Sequence, residues 1–145
     1  MNRMRALGIC LTFFLLAAGC TTTHSYDVLV TNNLQEPVTV WLTKQHGPWG
    51  DGWYPPEEVA METTGTTPIN GRVIPPGQTG EAKASGQFSS DNQAILRVYR
   101  SVDLNQMMAM DRGDPGRVDQ PLTPGKSDLD IDLVNGAITA QPHGH

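Results

Sequence analysis

The chain has 145 residues with 10 basic and 15 acidic side chains, a formal net charge of −5. An acidic chain of this kind lacks the excess of lysine and arginine that neutralises phosphates, so nucleic acid is excluded as a partner. The 15 glycines and 11 prolines predict frequent turns and exclude long helices as the main architecture.

The first 19 residues have the three-part pattern of a secretory signal peptide. Arg3 and Arg5 precede a stretch over residues 6–19 that is apolar apart from Thr12. This stretch is shorter than the ~20 residues that a membrane-spanning helix needs, and it ends on small residues. Residues 1–19 are therefore predicted to be a leader that is removed on export.

The sequence "AAGC" at the end of this leader resembles the lipobox of bacterial lipoproteins. In that family, small residues precede a cysteine that receives a diacylglycerol, the leader is cut before it, and the new amine is usually acylated. The resemblance implies lipidation of Cys20, and plain secretory cleavage is the alternative. Thr21 stands where an aspartate would favour the inner membrane in enterobacterial lipoproteins. By this resemblance we expect a lipid-anchored protein of the cell envelope, at the outer membrane and facing the periplasm.

Cysteine usage agrees with lipidation. Cys10 lies inside the leader, so Cys20 is the one cysteine of the mature chain. An internal disulfide, a cysteine-ligated zinc or blue-copper site and a thiol nucleophile in the folded domain are thereby excluded. Without the two leader arginines the mature chain carries 8 basic and 15 acidic side chains, a net charge of −7. That charge opposes adsorption on anionic lipid headgroups.

The mature chain is predicted to begin with the lipidated cysteine and a polar tether over residues 20–25, followed by one domain over 26–141. "YDVLVT" (26–31) and "VTVWLTK" (38–44) each alternate apolar and polar residues. The segment between them, "NNLQEP", suits a turn in which Asn32 and Asn33 adopt left-handed geometry. These two segments are predicted to form an antiparallel pair.

Further strands and two short helices are predicted along the chain. "RVIPPGQT" (72–79) predicts a strand ended by a Pro-Gly turn, and "LTPGK" (122–126) predicts a second such turn. "QAILRVYRSV" (93–102) alternates Ala94, Leu96 and Val98 against Ile95, Arg97 and Tyr99. Helices are predicted at "DLNQMMAM" (103–110), capped by Asp103 and stopped by Gly113, and at "PEE" (56–58).

The segment "SDLDIDLVNGAITA" (127–140) predicts a hairpin with a defined register. Asn135-Gly136 favours a type I′ turn, which pairs Leu133 with Ile138. Leu129, Ile131 and Leu133 then share one face, as the pairing requires. Residues 142–145, "PHGH", are predicted to be a flexible tail.

Short strands separated by turns predict an all-β fold, an antiparallel two-sheet sandwich with one or two short helices. "VTNNLQEPVTVWL" and "VIPPGQT" resemble small immunoglobulin-like envelope domains. The resemblance implies an immunoglobulin-like β-sandwich and assigns no functional residues.

The segment "QHGPWGDGWYPPEE" (45–58) holds the candidate binding residues Trp49, Trp53 and Tyr54, and Trp41 precedes it on the strand face opposite Val40. In one interpretation the 45–70 segment folds back, and Trp49 or Trp53 packs on Trp41 to plug the edge of the sandwich. In the other, these aromatic rings form a platform for a glycan or a partner protein. Packing is the commoner fate of such residues.

Other residues that could bind a metal ion have simpler structural interpretations. Asp128, Asp130 and Asp132 favour a solvated, edge-protecting face over a calcium site, since alternate strand residues lie ~6.8 Å apart. Met107 and Met110 share a helical face and could bind Cu(I), although methionine more often fills a core. The histidines lie in the tether, the aromatic loop and the tail.

The sequence contains no "GxSxG", "HExxH", phosphate loop or Cys–His pair, so we predict no enzyme and no cofactor. It favours a non-enzymatic binding or structural role, in which a membrane-anchored domain presents the aromatic loop to an envelope protein or glycan. Copper handling through Met107 and Met110, with no other metal site, is the alternative.

Overall fold

A computed structural model describes residues 20–50, 52–59 and 71–144 of the chain, so the predicted leader at 1–19 lies outside the described residues. Within the described segments, no helix has the length and hydrophobicity needed to cross a membrane. The described elements are β1 (Thr21–Asn32), β2 (Val38–Lys44), α1 (Pro56–Val59), β3 (Gly71–Ile74), β4 (Thr79–Ser89), β5 (Ala94–Tyr99), α2 (Leu104–Ala109), β6 (Arg117–Pro121), β7 (Gly125–Val134) and β8 (Ala137–Pro142).

The strands form two four-stranded sheets that pack face to face. The first sheet has the order β4-β1-β7-β8 and the second the order β3-β2-β5-β6. All pairings are antiparallel except that of β1 with β7, which is parallel. The predicted all-β, two-sheet sandwich with short helices is confirmed, with one parallel pair that the sequence did not indicate.

The main core lies between the two sheets and follows the alternation read from the sequence. Each inner face contributes the apolar residues of one parity, and each outer face carries the residues between them. The inner positions include Val28, Val30, Leu129, Ile131 and Ile138 from the first sheet, and Val38, Val40, Leu42, Leu96 and Val98 from the second.

The predicted pairing of the first two strands is wrong. β1 lies between β4 and β7, whereas β2 lies between β3 and β5 in the other sheet. Asn32, which is fully buried, stabilises the crossing between the sheets. Its side-chain amide donates to the carbonyl oxygens of Glu36 and Ile74, and its Oδ1 accepts from the Leu34 N–H. These three side-chain hydrogen bonds explain why an asparagine stands at the crossing.

Left-handed backbone geometry occurs at the C-terminal hairpin. β7 and β8 pair with Leu133 opposite Ile138, as predicted. Asn135 and Gly136 have φ of 52° and 83°, as a type I′ turn requires. Asn135 is the one non-glycine residue with positive φ in the described part of the chain. The left-handed geometry expected of residues 32 and 33 is therefore wrong.

The longest strand that the sequence did not predict is β4. Its sequence "TGEAKASGQFS" is rich in small and polar residues, which have weak strand propensity. It pairs along β1 from Thr31 opposite Thr79 to Thr21 opposite Ser89. Residues 21–25, expected to be a tether, therefore form the first part of β1, and the folded domain starts directly after Cys20.

Two short helices cover the outer face of the second sheet at their predicted positions. The Asp103 carboxylate caps α2 by accepting the Gln106 N–H at 3.0 Å, and α2 ends at Ala109, before the predicted stop at Gly113. Below the helices lies a second core cluster of Trp41, Tyr99 and Met107, with Val59, Leu104 and Met110 packed against it.

Candidate binding cleft

The structure separates the four aromatic residues that the sequence singled out. Trp41 and Trp53 expose 0% and 1% of their surface, whereas Tyr54 exposes 39% and Trp49 is half-buried. Two of the four are therefore core residues, and two remain accessible for binding.

Trp41 faces outward from the second sheet and is covered, as predicted, but not by another tryptophan. Its ring packs in the second core cluster with Tyr99 and Met107. Its indole N–H donates to the Tyr54 carbonyl oxygen at 2.8 Å. The segment after β2 thus does fold back over Trp41, but through its backbone.

Trp53 belongs to the main core and packs on aromatic residues of the first sheet. Its ring makes edge contacts with Phe88 at 5.1 Å and Tyr26 at 5.7 Å between centroids. Its indole N–H donates to the Ser85 carbonyl oxygen at 3.2 Å, and a Cβ at position 86 would overlap this nitrogen. Gly86 is therefore needed for the close approach of Trp53 to β4.

Trp49 and Tyr54 are the accessible aromatic residues of the loop. Their ring centroids are 6.4 Å apart and the rings are tilted by 42°. We define the aromatic loop as residues 45–54, of which residue 51 lies outside the described part. This loop offers two amphipathic rings whose polar atoms can bond a partner while their faces are desolvated.

A cleft of about 490 Å³ lies between the aromatic loop and β4. Its walls include Thr21, Lys44, Trp49, Trp53, Gln87 and Asn92. This volume falls in the roughly 300–1,000 Å³ range of small-ligand sites. Among the described residues that line the cleft, Lys44 is the one charged side chain.

Lys44 is the charged group of the cleft, and it exposes only 6% of its surface. Its ammonium donates to the carbonyl oxygens of Gln87 at 2.7 Å and Pro48 at 3.4 Å, and lies 5.0 Å from the centroid of the Phe88 ring. Burial lowers the pKa of Lys44 below its ordinary value. Sequence reasoning missed this residue, although the strand alternation places it on the same inward face as Val38, Val40 and Leu42.

The predicted lipidation site lies beside this cleft. Cys20 is exposed and forms no disulfide, and the adjacent Thr21 is both the first residue of β1 and part of the cleft wall. The attachment point and the cleft therefore lie at the same end of the sandwich.

The three aspartates of β7 line an outer face, but they do not protect an edge. β7 is an interior strand between β1 and β8, so that part of the prediction is wrong. His143 Nδ1 lies 2.9 Å from Asp130 Oδ1, and the hydrogen bond to Asp130 raises the pKa of His143. Among described residues, no group of three or more histidine, cysteine, aspartate or glutamate side chains could hold a metal ion.

The methionines of α2 have unequal surroundings. Met107 exposes 1% of its surface within the second core cluster, whereas Met108 exposes 37%. Met110 packs at the border of the same cluster. These positions do not favour copper handling over packing.

A partly buried ionic network on the outer face of the second sheet was not predicted; Glu57 is its exposed member. Arg97 on β5 donates to both carboxylate oxygens of Glu57 on α1, at 2.6 and 3.0 Å. Asp119 on β6 accepts two hydrogen bonds from Arg117, each of 2.8 Å. Burial alone would raise the pKa of Asp119, but the hydrogen bonds and charge of Arg117 hold it below its usual value. The network fixes α1 over the sheet.

Comparisons with known proteins identify a structural likeness but no family. No protein-family model matches the chain, and no curated protein matches it. The chain is similar to the crystal structure of the T6SS lipoprotein TssJ1 from Pseudomonas aeruginosa, with a TM-score of 0.41 and 16% identity. The match covers 86% of this chain and 99% of that chain. A likeness of this size carries no statement about function.

Proposed function

We propose that this protein is a bacterial lipoprotein whose immunoglobulin-like β-sandwich is anchored through Cys20 to the outer membrane, facing the periplasm, and has a non-enzymatic binding role. The supporting observation is the position of Cys20, which is exposed and directly precedes β1. A modified cysteine at this position disturbs neither sheet. Several acyl chains, at ~0.8 kcal/mol per buried CH₂, anchor a protein far more firmly than one chain does.

Lipidation is tested by mass spectrometry of the protein purified from the membranes of its own host. We expect a mature chain that begins at Cys20 and carries a diacylglycerol on the thiol. Cys20→Ser is expected to release the protein from the membrane fraction. Cys10→Ser is the matched control, because it removes a thiol from the predicted leader and leaves anchoring unchanged.

We further propose that the aromatic loop binds an envelope protein or glycan through Tyr54 and the exposed part of Trp49. Two accessible aromatic rings 6.4 Å apart offer a large contact area and little rotamer entropy to lose. The buried positions of Trp41 and Trp53 give them the supporting role of holding the loop in place.

Proximity labelling in the native cell tests the loop. Tyr54→Ala and Trp49→Ala are expected to reduce labelling of a specific partner while the protein remains folded and anchored. Leu29→Ala is the control, because Leu29 exposes 40% of its surface on the outer face of the first sheet. Equal losses in all three variants would contradict a role specific to the loop.

A further inference from the structure

We propose that the cleft between the aromatic loop and β4 binds the phosphate of a membrane lipid headgroup through Lys44. This contact would be a second membrane attachment beside the lipid anchor, and it rests on the anchoring proposed above. Trp49 lines this cleft and also belongs to the partner surface proposed above, whereas Tyr54 is not among the cleft-lining residues and stays available to a partner.

Lys44 is a buried cation that has no carboxylate partner among the described residues. Two cations are buried in the described part of the chain, Lys44 and Arg97. Arg97 is paired with the Glu57 carboxylate, whereas Lys44 has only two carbonyl oxygens as acceptors and no carboxylate within 4.0 Å among the described residues. An ammonium has three N–H donors, so besides these two oxygens it has only the face of the Phe88 ring, 5.0 Å away, as a described partner. A buried charge without a counter-ion is costly, and a bound anion would relieve that cost.

The residues that line the cleft also suit a lipid headgroup. Lys44 lines the cleft together with Trp49 and Trp53, and the other described residues of the lining are uncharged. An aromatic wall next to a lysine suits the interface between lipid headgroups and acyl chains, where amphipathic rings and long cationic side chains concentrate.

The cleft also lies close to Cys20, the proposed lipid anchor. Thr21 forms part of the cleft wall, and its Cα is about 3.8 Å from that of Cys20 because consecutive Cα atoms are separated by one peptide unit. A lipidated Cys20 therefore holds the cleft at the headgroup layer. Tethering raises the effective concentration of headgroup phosphate at Lys44, so even a weak site would be occupied.

The net charge of the mature chain, −7, opposes general adsorption on an anionic bilayer. It does not oppose binding at one local cation, because exposed charges farther away than ~8 Å are largely screened at physiological salt. Because the mature chain is acidic, non-specific attraction contributes little to its binding to anionic vesicles, and binding there reports on the cleft.

The test uses residues 20–145 with Cys20→Ser, which contain both sheets and both core clusters but cannot be lipidated. Binding to phosphatidylcholine–phosphatidylglycerol vesicles is measured by co-sedimentation. Lys44→Met is expected to weaken binding by about tenfold, as for loss of one charge-assisted hydrogen bond. Lys83→Met is the matched control: it removes the same charge from a side chain that is 56% exposed, and is expected to change binding less than twofold.

A second variant covers the outcome in which Lys44→Met fails to fold. Asn92→Asp places a carboxylate in the cleft lining, keeps the two hydrogen bonds that the side-chain oxygen accepts, and is expected to weaken vesicle binding similarly. Glycerol phosphate and inorganic phosphate serve as soluble competitors. Displacement only by millimolar phosphate identifies the headgroup as the source, whereas equally tight binding of free phosphate identifies a soluble-anion site and overturns the membrane proposal.

Two further results would overturn the proposal. One is equal loss of vesicle binding in Lys44→Met and Lys83→Met, which indicates general electrostatics. The other is absence of vesicle binding by the unaltered cleft; if an acidic peptide binds instead, the cleft serves a protein partner. Because the tested chain lacks the anchor, these outcomes are independent of whether Cys20 is lipidated in the cell.

Discussion

Replacement of Trp53 by alanine tests the distinction between the packed and the accessible aromatic residues. Trp53 exposes 1% of its surface and contacts the rings of Tyr26 and Phe88 edge-on. The variant leaves these two rings facing a cavity at the open end of the sandwich. It also leaves the Ser85 carbonyl oxygen without the indole donor.

The expected cost follows from the surface that the ring buries. A buried tryptophan removes ~200 Å² from water, which at ~25 cal/mol per Å² gives an upper value of about 5 kcal/mol. Measured Trp→Ala changes in cores cost about 3–5 kcal/mol. We expect the free energy of unfolding to fall by about 4 kcal/mol, a large part of the ~5–15 kcal/mol of a domain.

Urea unfolding followed by far-UV circular dichroism measures this change without relying on tryptophan fluorescence. Tyr54→Ala is the control, because its side chain is 39% exposed and a loss below ~1 kcal/mol is expected. Similar small losses in both variants would refute the assignment of Trp53 to the core.

Three other substitutions test separate parts of the structure. Gly86→Ala is expected to cost at least ~2 kcal/mol of unfolding free energy, because its methyl group overlaps the Trp53 indole; Ser85→Ala, measured by the same urea unfolding, should cost less than ~1 kcal/mol. Asn32→Ala removes three hydrogen bonds, two of them buried, and should cost about 2–4 kcal/mol; a change below ~1 kcal/mol would contradict its role at the crossing. The stability that Asp119 contributes is present above its usual pKa of 3.8 and is lost as the pH falls through its lower folded pKa. Asp119→Asn should therefore lower the melting temperature at neutral pH, and the difference from the wild type should shrink in acid.

The strands that could be predicted from the sequence are those rich in aliphatic and aromatic residues between clear turn signals. β1, β2, β3, β5 and the β7–β8 hairpin are of this kind, and Asn135-Gly136 fixed the register of the hairpin. β4 and β6 have few β-branched residues, so only their pairing with β1 and β5 makes them strands.

Sheet membership could not be predicted because it depends on contacts between distant segments. Pattern alone does not distinguish a tight hairpin from a crossing between sheets, and it does not reveal that β1 pairs in parallel with β7. The crossing at residues 33–37 depends on Asn32, whose hydrogen bond to Ile74 spans 42 positions in sequence.

The candidate site was partly visible in the sequence. The aromatic loop was identified, but which rings are buried depends on α2 and β4, which cover Trp41 and contact Trp53 respectively. Lys44 had a readable signal, since a lysine on the apolar face of a strand is unusual. The cleft itself could not be predicted, because one of its walls is β4.

The central claim is that the domain is attached to a membrane through Cys20. The most direct measurement is the mass of the N-terminal peptide of the protein isolated from its own host. We predict a chain that starts at Cys20 with a diacylglycerol on the thiol. A free, unmodified thiol at that position, or a retained leader, would contradict the claim.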